Sequence, residues 1–387
     1  MGHRAGAVEG LDVSSTWTDA FRDKRVLITG HTGFKGSWLA IWLHRLGARV
    51  TGYALPPPTR PSLFEVARVR ELLERHVEAD VRDAACLEHE LGQARPRFVL
   101  HLAAQPLVPE GYRNPRDTFE TNVMGTVNVL EAVRRVGPRP CTVVVVTSDK
   151  CYEVAPSGCD PAPPGLRESD RLGGSEPYSA SKAAAEIVAA AYRRSYFDPQ
   201  HLHEHQVALV TVRAGNVIGG GDWSPTRIVP DVVRAAAAGR PVELRMPHAV
   251  RPWQHVLDPL AGYLTLAARL VDEWPDDPRS AHSGAWNFGP PTESCVTVGA
   301  LVEQLHRALG RGATADSPDP SIRETATLTL CSDKARSLLG WRPRWPLDET
   351  IRRTADWYCR YYDQPGADMR QACLDDIAAY EAAEPRP

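Results

Sequence analysis

From Lys24 onward, short apolar runs alternate with longer segments whose apolar residues recur at helical spacing. "RVLITG" reads as a strand, because an unbroken β-branched run suits a sheet covered on both faces. "GSWLAIWLHRLG" then reads as a helix that stops at Gly47. "ARVTGYAL", "HVEADV" and "RFVLHLAAQ" predict the second, third and fourth strands. "PRDTFETNVMGTVNVLEAVRRVG" predicts one long helix, and the valines from Val143 a fifth strand. "PYSASKAAAEIVAAAYRRSYF" predicts another helix, followed by a strand over "QVALVTVRAGNVIG". Strands separated by helices make βαβ units, so the predicted fold class is α/β with a doubly wound parallel sheet. After Gly221 the segments become shorter and richer in Pro. They predict a smaller mixed α/β unit, with helices over "LVEQLHRALG" and "LDETIRRTADWYCRYY".

Charge and composition exclude several function classes. Lys plus Arg number 45 against 48 for Asp plus Glu, a net charge of −3. That balance lacks the basic excess of a nucleic-acid or membrane-surface protein, so neither partner is expected. No apolar stretch approaches the roughly 20 residues that span a bilayer. The segment "MGHRAGAVEGLDVSSTW" lacks a signal-peptide core and reads as a mobile tail over residues 1–16. Gly6 stands where a myristoylation signal needs Ser or Thr. Eight cysteines without a CxxC pair read as reduced thiols, which predicts a cytoplasmic protein. Cys151, beside a charged strand end, reads as a small buried filler.

"LITGHTGFKGSWL" places Gly30, Gly33 and Gly36 between a strand and a helix. Glycine there lets the backbone turn tightly and approach a pyrophosphate held at the helix N-terminus. A GxxGxxG triplet alone is equally a plain tight turn; its place after the first strand of a βαβ series favours the Rossmann-type dinucleotide reading. Asp80 and Val81 end the third predicted strand, where a carboxylate and a backbone amide can hold an adenine; a solvent-facing turn is the competing reading. The acidic residue usual for the adenosine ribose is missing from "GYALPPPTR". Pro56 to Pro58 occupy that region with Arg60 close by, so NADP stays open beside NAD.

Two further patterns carry chemistry. "YSASK" sets Tyr178 and Lys182 four apart, on one helix face. A lysine ammonium and an oxidised nicotinamide both favour the phenolate of a tyrosine whose ordinary pKa is about 10. The valine strand ends in Ser148, Asp149 and Lys150, which read as a solvated strand end or as an acid–base pair. For Asp149 to act as acid its pKa must rise, and for Lys150 to act as base its pKa must fall. Burial drives both that way and their mutual attraction drives both back, so a shared proton describes the pair better than two separate assignments. Adjacent strand residues face opposite sides, so both reach one substrate only where the strand has ended.

"TGHTGFKGSW", "HLAAQPLV", "TNVMGT", "TSDKCY", "YSASK", "RAGNVIGGGDW", "RPWQHV", "WNFGP" and "LGWRPRW" together resemble the extended short-chain dehydrogenases/reductases acting on nucleotide sugars. The likeness covers residues 17 to about 360 and is nearest the branch that 4,6-dehydrates CDP-glucose. It implies NAD as cofactor, with Thr32, Phe34, Ala103, Ala104, Gln105 and Asn122 added to the glycines, Asp80, Val81, Tyr178 and Lys182 as its contacts. It implies that Tyr178 oxidises the C4 hydroxyl, with Ser148 sharing that hydrogen bond. Asp149 then protonates the leaving C6 hydroxyl, and Lys150 takes the C5 proton. Asn216 and Arg251 fall where the family holds the substrate diphosphate, and a homodimer through helices 115–137 and 177–197 follows from the family's habit. The resemblance divides the chain into a dinucleotide-binding domain over 17–215 plus 251–285 and a nucleotide-sugar-binding domain over 216–250 plus 286–365.

Pro109, Glu110 and Gly111 depart from the family's Arg, variable residue and Ser before Tyr112, which leaves the sugar open. A C4 epimerase needs the tyrosine but no eliminating acid and base, and a silent nucleotide-sugar binder needs neither. His201, His203 and His205 would share a strand face, but a solvated loop before "VALVTV" is the better reading, so no metal is expected.

Overall fold

The computed structural model describes residues 16–153, 165–272, 282–316 and 328–385. Residues 1–15 of the predicted tail lie outside these, and a short helix opens at Thr16–Asp19. Six strands follow in chain order: β1 (Arg25–Thr29), β2 (Arg49–Ala54), β3 (Arg75–Glu78), β4 (Phe98–His101), β5 (Cys141–Val146) and β6 (Val207–Ala214). Then come β7 (Asn216–Ile218), β8 (Val242–Leu244), β9 (Val250–His255), β10 (Gly284–Phe288), β11 (Cys295–Thr297) and β12 (Thr314–Asp316).

Seven of these form one sheet in the order β10-β6-β5-β4-β1-β2-β3, every neighbouring pair parallel. The order reverses between β1 and β4, and in such sheets ligands bind beyond the carboxyl ends at that reversal. The strands are apolar at successive positions because both faces are covered. Val26 and Ile28 of β1, Leu100 of β4, and Val144 of β5 pack on one side, against Trp38 and Leu260 of helices Phe34–Arg45 and Leu257–Asp272. Leu27, Val99, Val143 and Val145 pack on the other, against Leu91, Val129 and Ala189 of helices Ala84–Ala94, Gly125–Arg135 and Pro177–Ser195. Each such side chain contributes on the order of 1.5–3 kcal/mol by leaving water.

The predicted long helix at 115–137 exists, but residues Glu120–Met124 widen into a π turn between Pro115–Phe119 and Gly125–Arg135. Gly125 presses there on Val81: a Cβ at Gly125 would lie 2.8 Å from Val81 Cγ2. The single strand expected over 206–219 is broken at Gly215. β6 belongs to the large sheet, while β7 pairs with β9, which also pairs with β11. Thus residues 251–255 of β9, placed by sequence with the dinucleotide half, lie in the small sheet, whereas the following helix Leu257–Asp272 packs on the large one. β10 straddles the boundary drawn at residue 285. A second small sheet pairs β8 with β12. Helix Met369–Ala382, beyond the range read as domain, docks on helix Phe34–Arg45, where Trp42 Nε1 donates to Glu381 Oε1 at 2.9 Å.

Candidate active site

A cleft of about 2540 Å³ opens at the carboxyl ends of β1, β4, β5 and β6. Gly30, Thr32, Gly33, Phe34 and Gly36 line it, as do Asp80, Val81, Ala103 and Ala104. Gly30 has φ +77°, and its missing Cβ would stand 2.6 Å from Ala103 N, so the loop lies directly against the end of β4. The Asp80 carboxylate is gripped by Arg82 through two contacts to Oδ2, at 2.9 and 2.6 Å. Burial acts to raise that carboxyl, but the hydrogen bonds and charge of Arg82 prevail and hold it below its ordinary range. Gln105 and Asn122 do not line the cleft: the Gln105 side chain donates to Thr118 Oγ1 at 2.8 Å and accepts from Leu107 N, while its backbone meets the Asn122 amide. Asn122 is buried and accepts from Gln105 N at 2.8 Å while donating to Ser181 Oγ at 2.8 Å, joining the loop after β4 to the helix of Tyr178.

β5 stops at Val146, and Ser148 caps a single 3₁₀ turn over Asp149–Cys151. The strand has ended before the charged pair, so Asp149 and Lys150 both line the cleft. Ser148 Oγ donates to Asp149 Oδ1 at 2.9 Å and accepts from Lys150 N at 3.2 Å. Burial raises the Asp149 carboxyl, against opposition from Lys150, Ser148 and Lys35. Desolvation therefore wins the contest that the sequence left open for this residue. Cys151 is buried behind the turn against Tyr152 and Ala183, and desolvation pushes its thiol well up.

Facing the turn is helix Pro177–Ser195, capped by Glu176, whose carboxylate accepts from Tyr178 N at 2.7 Å and Ser179 N at 2.8 Å. Tyr178, Lys182 and Glu186 follow one another on one face of it. Lys182 Nζ donates to Val146 O at 3.2 Å, and burial lowers its pKa to about 8. Glu186 accepts from Thr147 Oγ1, from Thr211 Oγ1 at 2.7 Å and from Arg213 Nη2 at 2.8 Å. Helix, turn and β6 are thereby locked in one register. Burial pushes the Tyr178 phenol up to about 12, opposed first by its hydrogen bond with Ser148. Desolvation dominates in the protein alone, where the Lys182 ammonium donates to the Val146 carbonyl; the lowering expected from Lys182 together with an oxidised nicotinamide concerns the NAD-bound state.

On the opposite wall Asn216 opens β7 and Arg251 lies on β9, both lining the cleft. Arg251 Nη1 also donates to Val250 O at 2.8 Å. The departing loop forms helix Val108–Arg113. Glu110 pairs with Arg113 and Asn114, and Gly111 lets the helix press on the Tyr178 turn, where a Cβ would stand 3.2 Å from Tyr178 N. The His201–His205 stretch forms helical turns instead of a strand, with His205 bonded to Asp198 O and Val207 N.

Residues 26–277 match the NAD dependent epimerase/dehydratase family. The chain belongs to that family. A CDP-glucose 4,6-dehydratase of Salmonella typhimurium is 44% identical over 367 residues, spanning 95% of this chain and 98% of that protein. The solved UDP-glucose 4-epimerase of Thermus thermophilus with NAD has TM-score 0.69 at 25% identity, covering 88% of this chain and 99% of that one. MoeE5 in complex with UDP-glucose and NAD has TM-score 0.68 at 25% identity, covering 87% and 99%.

The glycine loop fits the cofactor of this NAD-dependent epimerase/dehydratase. Gly33 caps helix Phe34–Arg45 with no side-chain partner, so the first helix N–H groups face the cleft for a pyrophosphate. Arg60, the residue that kept NADP open, is 90% exposed and 4.0 Å from Glu65.

Three residues at the site escaped the sequence reading. Lys35 lines the cleft with Nζ 5.7 Å from the Tyr263 ring centre, lowered to about 7 by desolvation and then by Arg227 and Lys182. Glu186 follows Lys182 by one helical turn, a spacing visible in the sequence but mute without Arg213. Gly215, inside "RAGN", makes room for Asp149, because its Cβ would lie 2.9 Å from Asp149 Oδ2.

Proposed function

We propose that this chain is an NAD-dependent lyase that removes water from CDP-glucose across C5 and C6, giving CDP-4-keto-6-deoxyglucose. One observation carries the reading: the Ser148–Asp149–Lys150 turn and the Tyr178–Lys182 face meet in one cleft. The 44% identity to a CDP-glucose 4,6-dehydratase supports the substrate. Gly30, Thr32, Gly33, Phe34 and Gly36 would hold the NAD pyrophosphate, with Asp80 and Val81 at the adenine and Ala103 and Ala104 along the rim. When bound, NAD supplies a hydride acceptor for C4, a hydride donor for C6 and a positive ring that favours the Tyr178 phenolate.

Tyr178 takes the O4 proton while Ser148 orients that hydroxyl. The ketone acidifies C5, and Lys150 removes its proton. Asp149, kept protonated by burial, gives its proton to the departing C6 hydroxyl. Lys150 returns the C5 proton as C6 is reduced. Asn216 and Arg251 hold the diphosphate, where an amide and a guanidinium fork match its oxygens. An epimerase needs only the first of these steps, and the pair Asp149 and Lys150 separates the two activities.

We assign residues 17–215 plus 251–285 to dinucleotide binding and 216–250 plus 286–365 to the nucleotide sugar, with β9 contributing Arg251 across that division. A homodimer through segments 115–137 and 177–197 is supported by their exposed Phe119, Met124, Ile187 and Tyr196. A cytoplasmic site is supported by the free thiols of the described cysteines, and no described helix is long and apolar enough to cross a membrane. The test is incubation with NAD and CDP-, dTDP-, GDP- or UDP-glucose while substrate mass is followed. Loss of one water from CDP-glucose is expected, and no mass change with it would overturn the assignment.

A further inference from the structure

The proposed lyase chemistry, on which this inference rests, needs Asp149 and Lys150 to meet C6 and C5 of one sugar together. Both sit on a single 3₁₀ turn, Asp149–Cys151. So short a turn has few hydrogen bonds of its own. Catalytic groups have to be held to roughly 0.5 Å, so the precision must come from whatever grips the two ends of the turn.

The chain enters the turn through Thr147 and leaves it through Tyr152. Thr147 Oγ1 donates to Glu186 Oε1. Tyr152, only 1% exposed, donates its hydroxyl proton to Asn287 Oδ1 at 2.8 Å and accepts from Arg213 Nη1 at 2.7 Å. Arg213 Nη2 in turn donates to Glu186 Oε2 at 2.8 Å. One buried ion pair, Glu186 with Arg213, therefore holds both ends of the turn. Arg213 on β6 and Asn287 on β10 are register partners, so the exit is fastened directly to the large sheet. Asn287 is fixed as well, its Nδ2 donating to Leu166 O at 2.9 Å and its backbone N to Glu168 Oε1 at 2.9 Å. Tyr152 also lines the cleft. A phenol has one proton to donate, and here Asn287 takes it, so the hydroxyl serves the turn and not the sugar.

We propose that Tyr152 is a positioning residue for the elimination step: with Thr147 it clamps the reacting turn to the Glu186–Arg213 pair and so sets where Asp149 and Lys150 meet the sugar. Tyr178 and Lys182 lie on a helix that Tyr152 does not hold, so C4 oxidation is independent of this hydroxyl. Phenylalanine at 152 removes the hydroxyl alone. The ring that Arg213 Cζ approaches to 4.8 Å from its centre remains, as does the main-chain bond from Gly173 N to Cys151 O at 2.9 Å, so the variant should fold.

The test compares Tyr152→Phe with Tyr380→Phe, which loses an equally buried hydroxyl, one that donates to Asp258 Oδ1 at 2.8 Å from helix Met369–Ala382. With CDP-glucose and NAD, Tyr152→Phe should oxidise C4 at the wild-type rate in its first turnover and then lose water slowly. Reduced nicotinamide should therefore build up, read by its absorbance. A misplacement of about 1 Å costs on the order of 10²-fold in rate; with Thr147 still holding the entry, a kcat loss on the order of 10-fold is expected, and KM should not rise. Tyr380→Phe should show no build-up, even where its melting temperature falls as far. Oxidation and elimination slowed equally, or the same build-up in Tyr380→Phe, would overturn the positioning role. A raised KM at unchanged kcat would overturn it too, by making Tyr152 a sugar contact. Thr147→Val frees the other end and should also build up reduced cofactor; wild-type elimination in it would overturn the clamp even if Tyr152→Phe failed to fold. No water loss from CDP-glucose by the wild type would overturn the functional reading itself, and the clamp with it.

Discussion

Gly215→Ala puts a methyl group where the Asp149 carboxylate now lies. At ideal geometry the new Cβ would stand 2.9 Å from Asp149 Oδ2 and 3.6 Å from Pro252 Cγ. A Cβ atom essentially never stands under 3.0 Å from a non-bonded neighbour, so the short, buried Asp149 side chain has to move by a few tenths of an ångström or more. It is also the acceptor of the Ser148 bond at 2.9 Å, which has little slack to follow. Overpacking of this kind costs about 1–3 kcal/mol of stability, small enough to leave a folded enzyme. Misplacing a catalytic group by about 1 Å costs on the order of 10²-fold in rate, and that is the loss expected in kcat. The loss should fall on elimination and not on oxidation, because Tyr178 and Lys182 sit on a separate helix. With CDP-glucose and NAD, mixing should therefore give enzyme-bound reduced nicotinamide, seen by its absorbance, while water loss by mass is slow. Circular dichroism confirms that the variant is folded. Wild-type turnover with no build-up of reduced cofactor would refute the placement of Asp149 at the leaving group.

Other consequences rest on single contacts. Gly36→Ala would bring a Cβ within 2.2 Å of the Gly30 carbonyl oxygen, a backbone clash no rotamer relieves. NAD released on denaturing the purified variant should be reduced or absent, and wild-type retention would count against the loop as the pyrophosphate site. Glu186→Ala strands the Arg213 guanidinium, both side chains being only 3% exposed. Urea unfolding should show a loss of about 3–5 kcal/mol, with Glu186→Gln milder because it keeps acceptors, and an alanine variant as stable as the wild type would refute this. Burial holds the Asp258 carboxyl up at about 6 despite hydrogen bonds from Arg344 N and Tyr380 Oη. A raised carboxyl favours the folded state below its unfolded value and loses that advantage as pH rises to about 6, here by ~3 kcal/mol. The stability of the wild type relative to the non-titrating Asp258→Asn should thus fall by that amount between about pH 3 and pH 8, and a pH-independent difference would exclude the titration.

Much of the cofactor end and the reacting cluster was legible because local sequence dictates both. The glycine loop is one strand–turn–helix, and Tyr178 and Lys182 are one helical turn apart. The strand end at Val146 was only a condition in the sequence; the 3₁₀ turn capped by Ser148 meets it with residues all local to "TSDKCY". What was not legible depends on distant contacts. Nothing in "VALVTVRAGNVIG" announces that Gly215 breaks the strand, since the reason is Asp149, brought there by β5. Asn122 was read with the cofactor from its motif, but its amide is committed to Gln105 and Ser181, partners set by packing of two helices. The phenol of Tyr178 was expected to be lowered by its lysine together with an oxidised nicotinamide, and only the fold shows that Lys182 also reaches the Val146 carbonyl. Helix Met369–Ala382 lies outside the likeness and is fixed by its docking on Trp42.

The most direct test of the account follows a label. CDP-glucose carrying deuterium at C4 should yield a product with that deuterium at C6 and one water lost, because the hydride taken beside Tyr178 returns to the carbon vacated with the help of Asp149. Deuterium found back at C4, in unchanged or epimerised sugar, would contradict the assignment of Asp149 and Lys150 to elimination.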